Sequence, residues 1–191
     1  MIAAAVTAHI RESADLDWKL VVIPASEMSG PGEGKAIEEQ RWEFAKDVAA
    51  MANTQGGLIV YGVQDIKEEA CGIEHVPLGE RERQQLASWA NTLIRPWLKG
   101  LVIEEFPTPE DSSRGFLVAS VPVSSDTLHV VEDRDRMSSP YRDSAHTLWM
   151  SEYQVETAYR ARFARQAGSV AALDRQIEDR SSISQGIPVP G

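Results

Sequence analysis

Cysteine, histidine and positive charge are all scarce in this chain: one Cys, four His, and 19 Lys and Arg against 29 Asp and Glu. Cys71 alone can make no internal disulfide and excludes a zinc site built from several thiolates. His9 and His75 have no partners at ligand spacing, so a histidine zinc site is not expected either. The formal net charge of −10 works against steering the whole molecule to phosphate, since nucleic-acid binders usually present a basic surface. Acidic pairs such as Glu38-Glu39, Glu68-Glu69 and Glu104-Glu105 read as solvated edges and loops, while basic residues gather late, at Arg160, Arg162 and Arg165. No apolar run approaches the roughly 18 residues that span a bilayer, so no membrane partner is expected. Ile2-Ala3-Ala4-Ala5-Val6 is short, lacks a basic leader and is soon followed by Arg11 and Glu12. A signal peptide is therefore not expected, and the cytoplasm is the expected compartment.

What is present reads as a mixed α/β fold, an α+β arrangement with helices packed on a mixed sheet. The length of 191 residues suits one domain, expected over residues 1–167, with a polar and partly disordered tail over 168–191. A short helix is expected within residues 1–11 and a strand over 16–23; the Gly-, Pro- and Ser-rich stretch 24–35 reads as a loop. That loop is not a phosphate loop: Ser29 stands where the first glycine belongs, and Ala36 replaces the Ser or Thr after Lys35. The 36–53 segment places Trp42, Ala45, Val48, Ala49 and Ala52 at helical spacing, a core face. A second helix is expected over 80–94, stopped by Arg95-Pro96, with Leu86, Trp89 and Leu93 turned inward. Strands are expected at 57–63, 70–73, 101–103, 115–121, 128–131 and 147–149, with Cys71 as a small core residue. A last helix opens at Ser151, a candidate cap, and runs to about Gln166, with a short helix near 171–180.

Two stretches carry the chemistry. In Ala49–Asp65, AAMANTQGGLIVYGVQD, a helix ends at Asn53-Thr54, a Gln-Gly-Gly turn follows, and an apolar strand leads to Asp65 just past its end. Paired glycines allow the sharp turn, and ligands of α/β sheets gather at such strand ends. In Glu12–Lys19, ESADLDWK, Asp17 and Lys19 share one strand face because side chains repeat every second residue. Glu12 precedes that strand and can fold back toward the same face. Read plainly, Glu12 pairs with Arg11 or caps a turn, Asp17 and Lys19 form an exposed pair, and Asp65 opens a turn. Three converging carboxylates, by contrast, would repel one another without a divalent cation, and an oxygen-rich set suits Mg²⁺ or Mn²⁺.

In order, these motifs resemble the Schlafen AlbA-like domain family, often described as ATP- or DNA-binding. Glu12, Ser13, Leu16, Asp17, Trp18 and Lys19 match the first half of its pattern. Ala52, Asn53, Thr54, Gly56, Gly57, Gly62, Val63 and Asp65 match the second, with Met51 replacing a commoner aromatic. Tyr141-Arg142-Asp143 and Thr147-Leu148-Trp149 look like the closing strand, and the likeness extends over most of residues 8–163. In Schlafen-type RNases the catalytic trio is carried by positions matching Glu12, Asp17 and Asp65. The resemblance therefore implies a metal-dependent endoribonuclease acting on structured, tRNA-like RNA. There the trio would hold Mg²⁺ or Mn²⁺, and Lys19 would stabilise developing phosphate charge. This chain departs at Asp17, where those RNases have Glu, and the shorter side chain alters or removes the metal geometry.

Other bacterial members of the family look like binding modules of transcription regulators, so the alternative is a non-catalytic DNA-, RNA- or nucleotide-binding module. Such a module would serve as a regulator, a homo-oligomer or a subunit of a larger assembly. Arg142, Arg160 and Arg162 are the candidate phosphate contacts, since arginine forks suit phosphate. The resemblance allows Asn53, Thr54, Gly56 and Gly57 to touch a ligand. ATP has no phosphate loop to support it. His129, on an apolar strand, reads as structural rather than as an acid or base.

Overall fold

The structure, a computed structural model, describes residues 2–21 and 33–184. Most of the 24–35 loop and the last seven residues of the expected tail lie outside the described residues. The chain divides into two compact units, Met1–Ser151 and Glu152–Gly191.

The first unit contains α1 (Ile2–Thr7), β1 (Leu16–Lys19), α2 (Glu33–Ala52), β2 (Gly57–Tyr61), β3 (Val63–Ile66), β4 (Glu69–Ile73) and β5 (Val76–Pro77). It continues with α3 (Glu80–Leu93), β6 (Ile94–Arg95), β7 (Val102–Pro107), β8 (Arg114–Val121), β9 (Val130–Asp133), β10 (Arg136–Ser138), β11 (Pro140–Asp143) and β12 (His146–Trp149). Parallel strands require a crossover, and α2 supplies it between β1 and β2, which pair from Leu16↔Leu58 to Lys19↔Tyr61. β8 then pairs antiparallel with β2 on one edge and β7 on the other, and β5 continues the β2 edge at Gly115 and Arg114. Smaller sheets are β10-β9-β6 and the hairpins β3–β4 and β11–β12.

Alternation along the central strands makes two faces. Ile59, Tyr61, Leu117, Ala119 and Val121 meet Phe44, Val48 and Met51 of α2 and Leu86, Trp89 and Leu93 of α3 in the main core. Trp18, Val60 and Val118 point the other way and pack with α1. The expected helical core faces are those observed, with Trp42 only half-buried and the Arg136 guanidinium 4.3 Å over its ring. Gly62, with φ of 100°, ends β2, so the strand expected over 57–63 is split and Asp65 falls within β3. Cys71 is exposed rather than core: on β4 it is Ala70 that turns inward.

The second unit is α4 (Glu152–Ser184), one continuous helix where an end near Gln166 was expected. Gly168 does not break it. No helix among the described residues is long and apolar enough to cross a membrane.

Candidate functional site

The β1 alternation turns Asp17 and Lys19 toward α2, while Trp18 goes to the opposite face and donates its indole N–H to the Ile10 carbonyl at 3.0 Å. On α2, Asp47 lies three residues after Phe44 and four before Met51, so it shares their inward face. The Lys19 ammonium lodges between the two acids, 2.7 Å from Asp17 Oδ2 and 3.1 Å from Asp47 Oδ2. The β11–β12 hairpin packs against α2 and brings Arg142 to the other side of Asp17. Its Nη1 is 3.4 Å from Asp17 Oδ1, and its Nη2 donates to the Ser13 carbonyl at 3.0 Å. Thr147 from the same hairpin lies 3.4 Å from both Arg142 Nη1 and Asp47 Oδ1. Asp17, Asp47 and Arg142 are at most 5% exposed. Two buried acids thus face two bases, with Lys46 Nζ 3.6 Å from Asp47 Oδ1 at the rim.

The electrostatics follow from that packing. Burial favours the neutral amine of Lys19, but Asp47 and Asp17 outweigh it and hold the ammonium well above the usual lysine range. Burial and the Asp47 carboxylate push Asp17 up from the ordinary carboxylate range, against the pull of Lys19 and Arg142. Tyr61, opposite Lys19 in the β1–β2 register, is pushed up by burial. Charges packed this way are costly to bring out of water, but removing one partner is costlier, because the other is left buried and unpaired.

Glu12 stands at the edge of this cluster, half-buried, with Oε1 accepting the Trp18 backbone N–H at 3.0 Å. Burial first, then the fields of Asp17 and Asp65, raise its pKa to about 7 against the opposing effects of the Trp18 N–H and Lys19. Asp65 is exposed on β3 of the β3–β4 hairpin, and Arg11 pairs with Glu69 rather than Glu12. The three acids expected together are therefore near enough to feel one another but do not share a centre. Among the described residues no three His, Cys, Asp or Glu side chains form a group able to hold a metal ion. Asp17 already faces an ammonium and a guanidinium, and one oxygen of Glu12 accepts from a backbone amide, so Mg²⁺ or Mn²⁺ would have to displace the Lys19 ammonium to reach Asp17.

The other candidates have structural partners. Asn53 accepts from His129 N at 2.8 Å and donates to the carbonyls of His129 and Pro140 at 2.8 and 2.9 Å, tying the end of α2 to the strands beside it. The Thr54 hydroxyl donates to Ala50 O and accepts from Arg142 N. At Gly56, φ is 75° and a Cβ would lie 2.7 Å from Val121 O; at Gly57 it would lie 2.6 Å from Asp15 O. Both glycines are thus required by close backbone approach. His129 is buried between Pro96 O and Ser124 Oγ, as a structural histidine is. Arg142, expected as a phosphate contact, is turned into the interior instead. Arg160 is exposed and Arg162 half-buried, both on α4. Asp47 is the participant that the sequence reading missed, and its signal was a lone carboxylate on an otherwise apolar helix face.

The profile of the Schlafen, AlbA_2 family matches residues 12–151, and the chain belongs to that family. No curated protein sequence matches the chain. Among solved structures, the DIP2311 protein from Corynebacterium diphtheriae is similar at 16% identity and a TM-score of 0.46 over 84% of this chain, which spans 28% of that one. The N-terminal domain of a DNA helicase RecG-related protein from Nitrosomonas europaea is similar at 20% identity and a TM-score of 0.38, over 64% of this chain and 72% of that one.

Proposed function

We propose that this chain is a nucleic-acid-binding module that holds RNA or DNA without cutting it, and that its buried acids are scaffold rather than catalyst. The observation that carries this reading is the Lys19 ammonium seated between Asp17 and Asp47, with Arg142 on the remaining oxygen of Asp17. Membership of the Schlafen, AlbA_2 family supports a nucleic-acid role. The proposed phosphate contact is Arg162, within a local run of basic residues with Arg160 and Arg165 on a protein of net charge −10. Binding of that kind is weak and strongly salt-dependent, because affinity comes mainly from counterion release at a few phosphates.

Fluorescence anisotropy with labelled tRNA-like RNA and duplex DNA tests the reading. Association that weakens steeply with salt, with the nucleic acid recovered intact, supports it. No association even at low salt would remove it. Metal-dependent cleavage remains the second reading, favoured by one observation: Glu12 lies within the fields of both Asp17 and Asp65. It predicts Mn²⁺-dependent products that disappear in Asp65→Ala.

A further inference from the structure

Along α4, Tyr159, Phe163, Gln166, Val170, Leu173 and Ile177 recur at alternating steps of four and three residues, the a/d repeat of a coiled-coil seam. Phe163, Val170, Leu173 and Ile177 are each more than half exposed. A lone helix cannot bury such a stripe on itself, so the stripe calls for a second helix.

The charges that flank the stripe say which helix fits. Any run of six a/d positions is symmetric about its middle, here Gly168, so an antiparallel copy pairs Phe163 with Leu173, Gln166 with Val170 and Tyr159 with Ile177. Antiparallel helices stack a against d positions, so α4 laid antiparallel on a second copy of itself matches every layer about an axis level with Gly168. Ala167 and Ser169 flank that crossing with small side chains. Beside the seam, Arg160 and Asp174 both occupy e positions, which face each other only in the antiparallel arrangement. Each copy's Arg160 then meets Asp174 of the other, giving two symmetric ion pairs. In a parallel pair, Arg160 would face Val155 and Asp174 would face Ser169, leaving Asp174 unmatched and Arg160 with only Glu156 of its own helix, 2.7 Å away. We infer that α4 is a self-association helix, pairing antiparallel with a second copy of this chain along the Tyr159–Ile177 seam. The seam is about 27 Å long at the rise of an α-helix, so the pair is reversible rather than permanent.

Sedimentation equilibrium of the full chain is expected to show a monomer–dimer equilibrium, with Leu173→Asp weakening it at least tenfold. R160D and D174R should each weaken the dimer, and the double variant should restore it. In a Cys71→Ser background, a mixture of Phe163→Cys and Leu173→Cys chains should oxidise to the mixed disulfide ahead of either self-pair. A monomer at every concentration, a dimer indifferent to Leu173→Asp, or preferred Phe163→Cys self-pairing would overturn the inference.

Discussion

Asp17→Asn isolates the role of the buried cluster. The substitution keeps shape and removes one negative charge, leaving Lys19 with Asp47 alone and the Arg142 guanidinium with only Thr147 and the Ser13 carbonyl. Breaking a buried ion pair by deleting one partner costs about 3–5 kcal/mol. The Lys19 side chain is 32% exposed and can still reach water, and losing the charge also relieves the burial and the Asp47 repulsion that push Asp17 up, so the net cost falls below that range, to about 2 kcal/mol. For a unit of this size each kcal/mol moves the midpoint by about 2–4 °C, so the melting temperature should fall by roughly 4–8 °C. Urea denaturation at 25 °C and calorimetry both measure it. Adding Lys19→Met should recover part of the loss, since no unpaired ammonium then remains. A catalytic carboxylate free of structural duty would behave otherwise. A loss below about 1 kcal/mol, the range of an exposed ion pair, would refute the scaffold reasoning.

Three further outcomes are expected. The Glu12 carboxyl has a folded pKa of about 7 against an ordinary value of 4.5, so the native state holds the extra proton between those values. Stability is greatest below the lower value, falls as pH rises through that window and levels off above it. Glu12→Gln should flatten that segment of a stability–pH curve, by roughly 1 kcal/mol once solvent screening of a half-buried group is allowed for. Asn53→Ala removes three hydrogen bonds at a partly buried junction and should cost about 1–3 kcal/mol in urea denaturation. Arg162→Glu should weaken nucleic-acid association and lower the slope of log affinity against log salt by about one, the signature of one lost phosphate contact.

Much of the fold is legible because it rests on local rules. The 3.6-residue apolar repeat marks the inward faces of α2 and α3, and the paired glycines mark the turn into β2. Strand alternation likewise places Asp17 and Lys19 on one face. The fate of those two residues is not local. Their burial depends on Asp47, which the same helical repeat hides among apolar neighbours. It depends equally on Arg142, 125 residues beyond Asp17, which a distant hairpin brings across α2. An arginine followed by an acid in a polar strand reads equally well as a surface phosphate contact; only tertiary packing turns it inward. Cys71 fails for a simpler reason: on a five-residue strand one position decides which side faces in, and on β4 that side belongs to Ala70.

A crystal soaked in Mn²⁺ and measured for anomalous scattering asks most directly whether Asp17 is scaffold or ligand. The Lys19 ammonium should still be seated between Asp17 and Asp47, with no manganese bound to Asp17. A manganese ion gripped jointly by Glu12, Asp17 and Asp65, with Lys19 displaced, would contradict the scaffold role.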